Sequence, residues 1–156
     1  MGAVYFEERY GANPLVKAVC AGLERVEELI NVKAEGTGNI LMLVGADTGR
    51  DGIHGASGLA SRTDPTARFE EMRPAVQVGN PFLEKLLMEA CLELLETDDV
   101  VGMQDLGAAG ITSSAVECAG RAGAGIEIDT PKVARRERGM TAYEVILSES
   151  PERMLV

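Results

Sequence analysis

Residues 107–125 read GAAGITSSAVECAGRAGAG. Wound as a helix, this stretch puts Ala108, Ile111, Ala115, Cys118 and Ala122 on one face. That face has little bulk, so another element has to approach it closely. Gly123 and Gly125 supply the ending, because glycine takes the left-handed conformation that closes helices. Just upstream, the apolar residues Val100, Val101 and Met103 read as a strand that delivers Asp105 to the corner between strand and helix. In open α/β sheets ligands bind at the carboxyl ends of strands, and helix N-termini attract anions. Asp105 therefore has two readings: it caps its helix, or it holds a hard cation that bridges to phosphate.

The neighbouring segments alternate between the two periodicities. ILMLVGA (40–46) is short, apolar and closed by glycine, as a buried strand is. In 77–95, Asn80 is a natural N-cap and Pro81 suits the first helical position. Leu83, Leu86, Leu87, Ala90, Cys91, Leu94 and Leu95 form an apolar stripe, and Glu84, Lys85, Glu89 and Glu93 face away from it. GIEIDT (125–130) alternates strictly, as a strand does, and MTAYEVILSE (140–149) is a short helix or strand. At the start, AVYFEERY reads as a strand and 23–30 as a helix, before the break AEGTGN. Strands alternating with helices predict an α/β layer, here a mixed sheet with some parallel pairing. The chain stops within an apparent strand, and the reading is of a piece of a longer polypeptide.

Composition narrows the function. The 156 residues are 46% hydrophobic and 26% charged, which is globular and not disordered. A formal net charge of −10 argues against nucleic acid or an anionic membrane as partner, since phosphate surfaces need the opposite field. A small phosphorylated ligand arriving with Mg²⁺ remains compatible, because the metal needs carboxylates. Cys20, Cys91 and Cys118 have no zinc spacing and read as buried reduced thiols of a cytosolic protein. No apolar run is long enough for a transmembrane helix and no secretory signal opens the chain, so no membrane association is expected.

Three further places carry polar groups of interest. GADTGRDGIHGASG (45–58) sets glycines beside Asp47, Arg50, Asp51 and Ser57: a nest of N–H groups for an anion, or a turn-rich surface loop. It lacks the G-K-[ST] ending of a Walker A loop. His54, the one histidine, has no partner in the pattern that would make it catalytic. Gln77 projects opposite to Val76 and Val78, either toward a ligand or into solvent. In SESPER, Glu149 and Ser150 close an apolar segment, where Ser150 either meets a ligand or caps a helix begun by Pro151.

Five segments in order, VYFEERYGANPLVKA, GADTGRDGIHGASGLAS, RPAVQVGNPFLEKLLMEACLEL, VGMQDLGAAGITSSAVECAGRAGAGIEID and RRERGMTAYEVILSESPERML, resemble phosphoribosylformylglycinamidine synthase, synthetase subunit. The resemblance covers nearly the whole chain. It implies an interior fragment with an incomplete aminoimidazole-ribonucleotide-synthetase-like α/β C-terminal lobe over 37–156. Residues 1–36 would be the end of a β-rich N-terminal lobe, which favours strand over helix near 15–21. The family converts formylglycinamide ribonucleotide, glutamine and ATP to formylglycinamidine ribonucleotide in de novo purine biosynthesis. ATP phosphorylates the substrate amide oxygen, and ammonia from a glutaminase subunit displaces the phosphate; a small accessory subunit completes the complex. Mg²⁺ holds the ATP phosphates.

Residue by residue, the resemblance implies that Asp105 is a Mg²⁺ ligand and that Gln77, Glu149 and Ser150 bind substrate. Pro151 stands where the family has glutamine, which removes a side-chain amide and a backbone N–H at once. The family's catalytic histidines precede this chain, so no catalytic residue is assigned and the fragment alone is expected to be inactive, cytoplasmic and self-associating into dimers or higher species. The alternatives are another ATP- and Mg-dependent synthetase or kinase on the same scaffold, or a non-catalytic assembly module.

Overall fold

The computed structural model describes residues 2–10, 18–53 and 77–156. In chain order the elements are β1 (Leu43–Gly45), α1 (Pro81–Leu95), β2 (Gln104–Asp105), α2 (Gly110–Ala122), α3 (Ala142–Leu147) and β3 (Arg153–Leu155). Short 3-10 turns lie at Glu8–Tyr10, Val26–Glu28 and Thr130–Lys132. Among the described residues no helix is long and apolar enough to cross a membrane.

The last strand is the middle one. Leu43, Val44 and Gly45 pair antiparallel with Leu155, Met154 and Arg153, and Gln104 and Asp105 pair with Leu155 and Met154 from the other side. The first ladder runs on through reciprocal Met42–Val156 bonds of 2.7 and 2.8 Å and through Ala46 N–H to the Glu152 carbonyl at 2.8 Å. β1 and β2 thus share a direction but do not touch, because β3 lies between them in the opposite sense. The described parallel contact is a single bridge, Thr48 to Arg135. Alternation in the sequence foretold strands of like direction; it carries no information about a strand interposed between them.

Helix α1 starts as its sequence dictates: the Asn80 Oδ1 accepts the Leu83 N–H at 3.2 Å and Pro81 occupies the first turn. Its covered stripe is narrower than the pattern implied. Leu87 and Cys91 are buried against β1, whereas Leu86 and Ala90 are exposed. Helix α2 buries Ile111, Ala115 and Cys118, as its small-residue face predicted, and also Ser114 and Ala119. Together with Met140, Val145 and Leu155 these make the core, flanked by Leu41, Leu43, Leu106 and Ile128. The Ser114 hydroxyl is satisfied within the helix by the Gly110 carbonyl at 3.0 Å. Helix α3 has a full capping box between Thr141 and Glu144.

Several expectations change. Residues 125–130 form no strand: Ile126 and Ile128 lie half-buried on the core, so their alternation reports a one-sided extended segment with no ladder partner. In the described residues before 36 there is likewise no strand, and the helix expected over 23–30 reduces to the turn Val26–Glu28. Val4, Phe6, Val19 and Leu23 are each at least 75% exposed there. An amphipathic segment without a surface to cover it gains nothing from its apolar face, and isolated helices this short are marginal in water. Only its end docks, where Ala34 N–H donates to the Cys118 carbonyl at 3.0 Å. Cys20 is exposed, contrary to the expectation of buried thiols; Cys91 and Cys118 are buried, which raises both thiols above the usual range.

Ile111→Ala is expected to destabilise the fold by about 2–5 kcal/mol, as removing a buried aliphatic side chain does. Val116→Ala, on the exposed face of the same helix, should stay within about 0.5 kcal/mol. Urea denaturation of both variants measures the difference.

Candidate functional site

Where α3 ends, the chain turns through residues 148–152 into β3 and passes beneath the loop that follows β1. Ser148, Glu149, Ser150 and Arg153 are all at most 5% exposed. Burying so many polar groups is tolerable only if each is partnered. The Arg153 guanidinium does much of this: Nε donates to the Ser150 carbonyl at 2.8 Å, Nη2 to the Ser148 carbonyl at 2.6 Å and Nη1 to the Thr48 hydroxyl at 3.0 Å. Burial pulls this guanidinium down to about 10, with the nearby Asp51 carboxylate working the other way. It therefore stays charged near neutrality.

Asp51, also buried, ties the loop to this segment. Its carbonyl accepts the Glu149 N–H at 2.7 Å, and its carboxylate accepts the Ser150 hydroxyl and the Arg136 guanidinium, the latter at 2.9 and 3.0 Å. Ser150 Oγ in turn accepts the Gly49 N–H at 2.8 Å, and the Ser148 hydroxyl donates to the Gly49 carbonyl at 2.6 Å. Arg50 faces the other way and pairs with Glu137 at 2.8 Å and Glu144 at 2.7 Å. The described charges of the segment 45–53 are thus largely consumed within the fold. Arg50 and Asp51 are not offered to an anion nest, and they tie the loop to 135–150. Ser57 and His54 lie outside the described residues.

Glu149 joins three parts of the chain. Its Oε2 accepts the Gln77 amide at 3.2 Å, and its Oε1 accepts the Ala109 N–H at 3.0 Å. Ala109 is the residue before α2 and holds a left-handed φ of 61°. Gly110 follows at φ 53°, and a Cβ there would run into the Ser148 carbonyl oxygen. The missing side chain at Gly110 is therefore needed for the strand-to-helix corner to sit against the 146–148 backbone. The Glu149 carboxylate then occupies the positive end of α2, an anion supplied by the protein itself.

Asp105 is exposed and lies in β2, five residues before the helix it was expected to cap. Capping is excluded by that placement: the N-cap is Ala109. The Asp105 carboxylate accepts the Gln104 amide N–H at 2.9 Å, while the Gln104 Oε1 is buried without a partner. Among the described residues no three acidic, histidine or cysteine side chains form a metal cage. The donors present fit one ligand of a Mg²⁺ that draws its other ligands from water and phosphate, and do not fit a complete site. Ser150 caps no helix, because Pro151 opens a bend and not a helical turn. A cleft of about 460 Å³ opens beside this segment, lined by Asp47, Gly79, Asn80, Arg136, Ser150 and Glu152. Its wall is pinned where Glu152, at φ 55°, accepts the Asn80 N–H at 2.8 Å.

Gln77 and Glu149 are thus in direct contact, with Ser150 adjacent but turned inward, and Asp105 stands on the strand that leads to the same corner. Sequence reasoning missed Thr48, Arg136 and Arg153. Nothing local marked Arg153: an arginine inside the apolar ending ERMLV reads as buried only once that strand is known to be central.

Two outcomes test this geometry. Gly110→Ala combines a positive φ with a backbone collision, so it is expected to unfold the corner, read as a melting temperature lower by more than about 5 °C; Gly107→Ala, where a Cβ meets nothing, should leave it within about 2 °C. The second concerns acid. Arg50 first, then the Thr141 N–H and hydroxyl, hold the Glu144 carboxyl at about 2, against an ordinary 4.5. Glu144 therefore stabilises the fold above pH 4.5, and its contribution disappears as pH falls from there to about 2. The melting temperature of Glu144→Gln should fall less steeply with acid over that window than that of the unchanged protein.

A family model described as AIR synthase related protein, C-terminal domain, matches residues 36–156. A relative from Thermomicrobium roseum named phosphoribosylformylglycinamidine synthase subunit PurL is 61% identical over 155 residues, which is 99% of this chain and 21% of the relative. Among solved structures, Thermotoga maritima PurL complexed with FGAR is similar with a TM-score of 0.75 and 40% identity, over 85% of this chain and 21% of that one. The same protein complexed with ATP gives a TM-score of 0.68 and 36% identity, over 85% and 19%. The chain spans about a fifth of the length of these relatives. On the match over 36–156 and the fold that accompanies it, the chain belongs to the family of AIR synthase related proteins, C-terminal domain.

Proposed function

We propose that this chain supplies one wall of the nucleotide-dependent site of an ATP-dependent C–N ligase, phosphoribosylformylglycinamidine synthase, in purine biosynthesis. The observation that carries the reading is the Gln77–Glu149–Ala109 cluster. It joins the segment before α1, the segment after α3 and the N-cap residue of α2 at one point. The likeness to PurL complexed with FGAR and with ATP supports it.

In this reading formylglycinamide ribonucleotide lies against Gln77 and Glu149. Each carboxylate oxygen keeps lone-pair capacity beyond the single bond it accepts here, and the Gln77 amide has a second N–H and a carbonyl oxygen to offer. Asp105 would hold Mg²⁺ through one carboxylate, and the ion would supply charge neutralisation for the phosphates of ATP. Ammonia comes from a glutaminase subunit, with a small accessory subunit completing the assembly in the cytoplasm. The tail before residue 37 belongs to a preceding lobe, which would cover the apolar side chains left bare here. The chain by itself associates through them, so light scattering is expected to show dimers or larger species; a monomer at all concentrations would remove this part of the reading.

The function is tested in the complete polypeptide by calorimetric titration with formylglycinamide ribonucleotide and, separately, with Mg-ATP. Gln77→Ala is expected to weaken the ribonucleotide about tenfold or more, a loss of about 1.4 kcal/mol, and to leave Mg-ATP unchanged. Asp105→Asn should raise the Mg²⁺ concentration that ATP binding requires. Nucleotide binding with indifference to the ribonucleotide would assign the site to another synthetase or kinase; binding of neither would make the chain an assembly module.

A further inference from the structure

The hydrogen bonds around Glu149 have a pattern that the proposed substrate contacts do not account for. No hydrogen bond or ion pair joins Arg153 to the Glu149 side chain. Arg153 holds the carbonyls of the two neighbouring residues, Ser148 at 2.6 Å and Ser150 at 2.8 Å. The amide between them is held by the Asp51 carbonyl at 2.7 Å. The backbone around Glu149 is therefore held at three groups, the Ser148 carbonyl, the Glu149 N–H and the Ser150 carbonyl, and two of the three bonds come from one buried guanidinium. The Ser150 hydroxyl belongs to the same frame: it accepts from Gly49 and donates to Asp51, and the residue is 1% exposed.

A buried arginine is a costly way to satisfy two carbonyls and a hydroxyl, since neutral donors would do so without desolvating a charge. Its guanidinium fork does one thing that neutral donors do not: it fixes the separation and orientation of both carbonyls with a single rigid plane. Gly52 lies close against the same side chain, because a Cβ there would run into the Glu149 carboxylate. Few rotamers are left to the Glu149 side chain between Gly52, Gln77 and Ala109.

We propose that Arg153 is a positioning residue for Glu149, assisted by Asp51, and that this pair sets the carboxylate in the one orientation that meets a formylglycinamide-bearing ribonucleotide. Ser150 then acts inward as part of the frame and its hydroxyl does not touch the ligand. This rests on the reading of Glu149 as a substrate-binding residue.

The test is a double-mutant cycle in the complete polypeptide. Ribonucleotide affinity is measured by calorimetry for the unchanged protein, Arg153→Lys, Glu149→Gln and the double variant. Glutamine keeps the shape and the acceptor for the Ala109 N–H but removes the charge. If Arg153 acts through Glu149, Arg153→Lys weakens binding about tenfold alone and about twofold or less in the Glu149→Gln background, the non-additivity expected of coupled residues. Equal losses in both backgrounds would overturn the proposal and leave Arg153 a general structural residue. A second readout needs no ligand: exchange of the Ala109 amide, which is bonded to Glu149, should quicken about tenfold in Arg153→Lys, as a local opening does, and unchanged exchange would count against positioning. Where Arg153→Lys does not fold, Asp51→Asn replaces it in the same cycle with the same two outcomes. Ser150→Ala joins the series, and a loss that persists undiminished in the Glu149→Gln background would return its hydroxyl to the ligand. If the unchanged protein binds no ribonucleotide, the proposed function fails first, and the amide exchange still reports whether Arg153 places Glu149.

Discussion

One buried cation organises this fold. Arg153 sits in the central strand, and its guanidinium reaches the segment that leaves α3 and the loop that leaves β1. Desolvating it has a cost, visible in the lowered affinity of the group for its proton. The compensation is a set of three well-directed hydrogen bonds and the field of Asp51. Removing any partner would leave a buried charge or a buried carbonyl without its bond, so the parts of this network stand together. That interdependence makes the 148–152 segment rigid, although it has no regular secondary structure.

Rigidity there determines what the corner before α2 can be. The helix begins at a left-handed alanine and a glycine packed against the Ser148 carbonyl, and the N–H of that alanine is donated to Glu149. A helix start usually invites an external anion. Here the Ala109 N–H is already answered from within, by the Glu149 carboxylate.

The regular elements were largely readable, for local reasons. Asn80-Pro81 and the stripe over 83–95 define α1 by chemistry that acts within one turn. The small-residue face and Gly123 define α2 in the same way. Gln77, Glu149 and Asp105 could be picked out by resemblance, and the first two do meet. What could not be read was pairing. The strand at 125–130 failed because alternation records which side is buried and says nothing of a neighbour within reach. The tail before residue 36 failed for a related reason: its apolar periodicity describes a surface that needs a partner, and in this chain most of it is uncovered. The loop after β1 looked like an anion nest because its charges were counted without the partners, Glu137, Glu144 and Ser150, that lie about a hundred residues away.

By itself, then, the sequence determined where the first helix begins, where the second ends, and that the second must be approached closely. Those properties follow from dihedral preferences and side-chain volume, which act over a handful of residues. The tertiary structure alone decided that the final strand is central, that an arginine is buried in it, and that Ser150 turns inward while Glu149 bridges Gln77 and Ala109. Each of these depends on a hydrogen bond between residues far apart in the chain, whose direction is settled only when the strands pack.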